Sequence, residues 1–249
     1  VNDVPESKCG DWGDYLRGVT IELGKKYKLK KGICGVIKGA LPSGGISSSA
    51  ALTICYLKAL CAANEIELDD SDYVFMSKRA ENFYVGVSTG ILDQSCETLC
   101  KEDSLLALDC SNNNYSNNKE PENMPPFKIG IFFSGLQRNL SQSSAYNNRV
   151  DECKAAAFAL YSFACSDSDY NDIFEPGLKF SDMKLRMIPE SLFEKYGNNL
   201  PPNWKKRAKH YFSEMNRVND GIDLYVDYLK SGVAQNLDAV KRMEHKLFV

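Results

Sequence analysis

The stretch that most constrains this chain is Pro42 to Ala51, Pro-Ser-Gly-Gly-Ile-Ser-Ser-Ser-Ala-Ala, which runs directly into the apolar segment from Leu52 to Ala63. Gly44 and Gly45 lack the Cβ that would hold a backbone away from a bulky anion. Beyond Ile46, the hydroxyls of Ser47, Ser48 and Ser49 can bind a ligand or cap the following turn. The opening amides of a helix starting there, through Ala50, have no intrahelical partner and sit at the positive end of the macrodipole. A polyphosphate can replace water as their acceptor, without a lysine. These residues alone leave a second reading open, in which Gly44-Gly45 is a tight turn and Ser47 an ordinary N-cap.

A chain of 249 residues, 43% hydrophobic and 25% charged, is long enough for one large domain or two smaller ones with real cores. Its formal net charge of -3 gives no general electrostatic footprint for nucleic acid or an anionic membrane, so a small-molecule ligand is expected. The nine cysteines are scattered through mostly apolar surroundings and read as buried thiols in a reducing compartment. Cys96 and Cys100 are four apart, but no second pair has ligand spacing and the histidines are only His210 and His245, which argues against a zinc site. No uncharged run approaches the ~20 residues of a membrane span, and the cytoplasm is the expected location. The chain starts at Val1 rather than Met, as expected of a fragment or processed form.

Periodicity predicts helices over Asp11 to Leu23, Ser48 to Ala63, Tyr73 to about Tyr84, Gln94 to Leu99, Val150 to Cys165 and Trp204 to about Leu229. The second is apolar almost all round, with Lys58 its only charge, and is expected to be buried on most faces. Asp69, Asp70 and Ser71 supply capping chemistry for the third. Strands are expected at Ile33 to Ile37, Ser104 to Leu108 and Phe127 to Phe133. Short helices and loops are expected from Asp167 to Leu200. The Asn, Glu and Pro-rich loop from Ser111 to Pro126 is the expected boundary between domains 1–125 and 126–249.

Two carboxylates stand out. Glu81 falls in the last turn of a helix, where it opposes the dipole; it is either a solvated surface acid or a metal ligand. Asp93 lies in Gly86-Val87-Ser88-Thr89-Gly90-Ile91-Leu92-Asp93-Gln94, flanked by apolar and neutral neighbours. It either caps the helix that follows or accepts a proton from a substrate hydroxyl.

Taken together, Gly45-Ile46-Ser47-Ser48-Ser49-Ala50-Ala51, then Ala80-Glu81 leading to Gly90-Ile91-Leu92-Asp93-Gln94, then Tyr146-Asn147 with Arg149 and Cys153, resemble the galactokinase branch of the GHMP small-molecule kinases. Further matches are Trp12 with Tyr15 and Gly18, Leu108-Asp109-Cys110, and Lys206-Arg207-Ala208 to Glu214. Phe133-Ser134-Gly135-Leu136 and His210-Tyr211-Phe212-Ser213-Glu214 look most like plant-type galacturonokinases. The resemblance extends from about Trp12 to Gly221.

The resemblance implies an α+β fold, with an N-terminal α/β phosphate-loop domain, a C-terminal α+β domain and the substrates in the cleft between them. It implies that Gly44 to Ala50 hold the nucleotide phosphates, that Ser48 or Ser49 and Glu81 hold Mg²⁺, that Asp93 takes the proton from the sugar's anomeric hydroxyl, and that Tyr146 and Gly90 line the sugar site. The activity implied is ATP-dependent phosphorylation of galacturonate at C1, with galactose as the alternative acceptor and a non-catalytic sugar or nucleotide sensor as a further alternative. Arg138 or Arg149 can supply the guanidinium that a uronate carboxylate wants. Pro42 stands one residue nearer the glycine than the family's proline does. The family's first motif is expected to precede Val1, and its third, a glycine-rich loop, to follow Leu229, where nothing similar is found before Val249.

Overall fold

A computed structural model describes residues 4–39, 45–119, 128–132, 135, 145–170, 172–175 and 177–231. The chain divides into two compact units, one of residues 1–120 and 129–146, the other of residues 121–128 and 147–249.

In the first unit, helix α1 (Gly13–Gly24) packs against α2 (Ser48–Asn64) and α3 (Asp70–Arg79), and Val19, Leu23, Leu57, Leu60, Cys61, Met76 and Ala80 form the core. Each fully buried leucine contributes about 2 kcal/mol relative to exposure. Gly18 lets α1 come close to the chain beyond α3: a Cβ there would stand 3.0 Å from the Ala80 carbonyl oxygen and 3.1 Å from the Tyr84 Cβ. Alpha-helical geometry stops at Arg79 and a π-helical turn, Ala80–Val85, takes over. It closes at Gly86, whose φ of +83° suits a residue without Cβ, and the Gly86 and Val87 amides both donate to the Glu81 carbonyl at 2.9 and 3.0 Å. Helix α4 (Leu92–Leu99) follows, then an antiparallel hairpin of β1 (Ser104–Asp109) and β2 (Asn114–Lys119), with Ser104 opposite Lys119.

The second unit is organised by α5 (Ala145–Ala164), α6 (Glu190–Tyr196) and α7 (Pro202–Ser231), although α5's first two residues group with the first unit. Ala156, Ala157, Leu160, Ala164, Met183, Leu192, Ala208 and Phe212 make its core. The Arg207 guanidinium donates to Glu152 at 2.9 Å, tying α7 to α5.

Several expectations need correction. Residues 33–37 form no strand, nor do residues 128–132; Phe127 and Phe133 lie outside the described residues. Both stretches have β-favouring side chains, but among the described residues the sheet is two-stranded and offers them no ladder. Conversely, Asn114–Lys119, expected as loop, is strand, because pairing with β1 outweighs its poor composition. Helix α2 buries one face only, with Thr53, Ile54, Leu57, Leu60 and Cys61 inside and Cys55, Lys58 and Ala59 outside. Most of the cysteines are likewise exposed; Cys61 is buried and Cys153 half-buried. Cys55 shows why: it sits on the outer face of α2, while Cys61 shares the inner face with Leu57. Asp69 precedes α3 with no side-chain capping bond.

Candidate active site

The start of α2 is built on two left-handed residues. Gly45 has φ +78°, and Ser47, the residue before the helix, has φ 58° and ψ 31°. A non-glycine residue in that region is uncommon and marks a constrained turn. The conformation leaves the Ser47 hydroxyl making no capping bond, and the first intrahelical bond is Ala51 N–H to the Ser47 carbonyl at 3.2 Å. The amides of Ser48, Ser49 and Ala50 therefore precede the helical ladder and are not capped by Ser47. Ile46 and Ser48 are exposed, Ser49 is half-buried and Ala50 is buried. Gly44 lies outside the described residues.

Glu81 is the second residue of the π turn and is only 1% exposed, so it is not the solvated acid of the first alternative. Its Oε2 accepts the Thr89 hydroxyl at 2.7 Å and the Gln94 Nε2–H at 3.0 Å. Its Oε1 is buried without a hydrogen-bond partner among the described residues. Burial pushes the carboxyl above its usual range; Thr89, Ser49 and Gln94 act in the opposite sense, and the Asp93 charge adds to the rise. Ser49 thus lies near enough to favour the ionised acid without completing a bond to Oε1.

Asp93 is the second residue of α4 and exposed; Ile91 holds the cap position, and no side chain caps that helix. Gly90, also exposed, stands just before it. Tyr146, second in α5 and half-buried, has its hydroxyl pushed above the ordinary tyrosine range by burial, then by the charges of Asp93 and Glu81.

Ser49, Glu81, Asp93 and Tyr146, which come from four separate segments, therefore share one electrostatic neighbourhood in the first unit. Two of its members escaped the sequence reading. Thr89 and Gln94 both hold Glu81, and the only signal was their presence in the run between Gly86 and Gln94 that carries Asp93.

Residues 14–101 match the family model described as "GHMP kinases N terminal domain". Among curated proteins it is similar to a galacturonokinase of Arabidopsis thaliana, 36% identical over 224 residues that cover 89% of this chain and 50% of that protein. It is also similar to a galactokinase of Clostridium perfringens, 31% identical over 226 residues, 89% of this chain and 53% of that protein. This chain spans about half the length of these relatives. A crystal structure of Lactococcus lactis galactokinase complexed with galactose superposes with TM-score 0.69 at 21% identity, covering 97% of this chain and 59% of that one. The α+β fold is shared with that structure.

Proposed function

We propose that this chain is the phosphate-loop and sugar-binding part of an ATP-dependent sugar 1-kinase acting on galacturonate in the cytoplasm. The observation that carries the reading is the gathering of Ser49, Glu81, Asp93 and Tyr146 beside the uncapped start of α2. Similarity to a galacturonokinase supports the choice of acceptor. Galactose is the second reading, supported by the galactokinases among the relatives.

In this reading residues 1–125 are part of the N-terminal kinase domain and 126–249 part of the C-terminal one. Phosphoryl transfer asks mainly for alignment and charge neutralisation. Gly44, Gly45, Ile46, Ser47, Ser48, Ser49 and Ala50 cradle the nucleotide phosphates with backbone amides and hydroxyls. Asp93 accepts the proton of the anomeric hydroxyl, and Tyr146 and Gly90 border the sugar. For Mg²⁺ the donor set fits: Glu81 and Ser49 offer hard oxygen atoms, and Glu81 Oε1 is a buried acceptor lacking a partner. A bound Mg²⁺ supplies charge neutralisation on the phosphates. Arg149 is exposed and suited to a uronate carboxylate; Arg138 lies outside the described residues.

Asp93→Asn tests the mechanism in an assay of ATP consumption with a panel of sugars. The variant keeps the nucleotide-induced thermal shift and lowers kcat by about 10² to 10⁴, the worth of general-base assistance. An unchanged kcat removes Asp93 from the reaction. Nucleotide binding without sugar-dependent turnover in the unsubstituted protein favours the sensor.

A further inference from the structure

Glu81 is brought to its place by a backbone device and held there by two side chains that the family resemblance did not single out. The π turn inserts an extra residue per turn into the end of α3, and its closing amides lock the Glu81 carbonyl. The carboxylate is then treated unequally. Oε2 receives the Thr89 hydroxyl and the Gln94 amide, while Oε1 completes no hydrogen bond among the described residues, although the Ser49 hydroxyl lies near the carboxylate.

Gln94 repeats the asymmetry. Its side chain is only 1% exposed, its Nε2 is spent on Glu81, and its own Oε1 is buried without a partner among the described residues. Turning the amide over would set its oxygen against Glu81 Oε2, so the carboxylate dictates the orientation. Thr89 is anchored in turn. The Asn82 amide donates to the Thr89 carbonyl at 3.4 Å, and the single Thr89 hydroxyl proton is better placed on Glu81 at 2.7 Å than on Asn82 Oδ1 at 3.0 Å. Two bare buried oxygens on adjacent hydrogen-bonded side chains are expensive, since an unsatisfied buried acceptor costs on the order of 1–3 kcal/mol. A hydrated hard cation would satisfy both, one by direct ligation and the other through the proton of a coordinated water.

We propose that Thr89 and Gln94 are positioning residues for a divalent cation at Glu81. They saturate Oε2 so that the carboxylate offers Oε1 alone, and Gln94 Oε1 takes a hydrogen bond from a water in the cation's shell. This rests on the reading of Glu81 as a metal ligand given under Proposed function.

The experiment is Mn²⁺ binding to the whole chain with a non-hydrolysable ATP analogue, followed by electron paramagnetic resonance, with melting temperatures measured alongside. Thr89→Val and Gln94→Leu weaken Mn²⁺ about 10- to 100-fold, the usual effect of losing a partner of a metal ligand, while both variants remain folded. Thr89→Ser, which keeps the hydroxyl, restores wild-type affinity. Wild-type Mn²⁺ affinity in Thr89→Val and Gln94→Leu overturns the proposal, as does a loss of affinity found only where the melting transition is lost. Glu81→Gln separates the two levels: if it binds Mn²⁺ as the wild type does, the Glu81 reading itself fails.

Discussion

A carboxylate shut away from water with one oxygen bare works against the fold that contains it. Glu81→Gln keeps the shape, lets the amide oxygen accept from Thr89 and Gln94, and takes away the carboxylate whose charge burial disfavours. It should raise the melting temperature of the metal-free protein by a few degrees near neutral pH, as removal of a cost of about 1–3 kcal/mol implies. Calorimetry in chelator checks it. Asp167 behaves in the opposite way. Lys195 and the Tyr196 hydroxyl beside it hold its carboxyl down from 3.8 to about 2. Its contribution is therefore full above the unfolded value, and is lost as pH falls through the folded one. Asp167→Asn should lower the denaturation midpoint at pH 7 and lower it much less at pH 2, read from urea unfolding at both pH values. At this scale the acids were legible because an isolated charge in an apolar or mis-signed setting is visible in a string of letters. Thr89 and Gln94 were not, because their importance is a matter of which oxygen they reach.

Among the elements, the helices and strand β1 declared themselves, and the other strand expectations did not hold. The apolar spacing of Val19 and Leu23, of Leu57, Leu60 and Cys61, and of Leu160 with Ala164 is internal to each helix, so the sequence carries it whole. A strand needs a neighbour. Val36 and Ile37 have the side chains for one and no ladder among the described residues, whereas Asn117 and Asn118 have neither apolar bulk nor branching and are paired with Leu106 and Leu105. The π turn was invisible for a related reason: it lies where α1 crosses closely at Gly18, a contact between segments far apart in the chain. Gly18→Val tests that crossing. Its Cβ would sit 3.0 Å from a backbone oxygen that cannot swing aside, so the expected loss is about 1–3 kcal/mol, seen as a lower urea midpoint with an unchanged m-value. Relaxed packing there should also disturb the Glu81 turn, so Mn²⁺ affinity should fall with it.

Over the whole molecule, each unit has its own core, one around Leu57 and Leu60, the other around Leu160 and Leu192. The α+β class and the kinase resemblance were legible from three short motifs, because these require particular residues at particular places. The exposure of one face of α2 was not, since composition alone does not say what covers a helix. The same holds for Val36, 96% exposed, and Phe132, 92% exposed, on backbone without regular structure. Uncovered greasy side chains on backbone outside any helix or strand are a seed for self-stacking between molecules. The isolated polypeptide should therefore cloud with time, faster at higher concentration, and Val36→Lys should slow the growth of light scattering severalfold. A preparer who wants clear solutions would begin with that single charge.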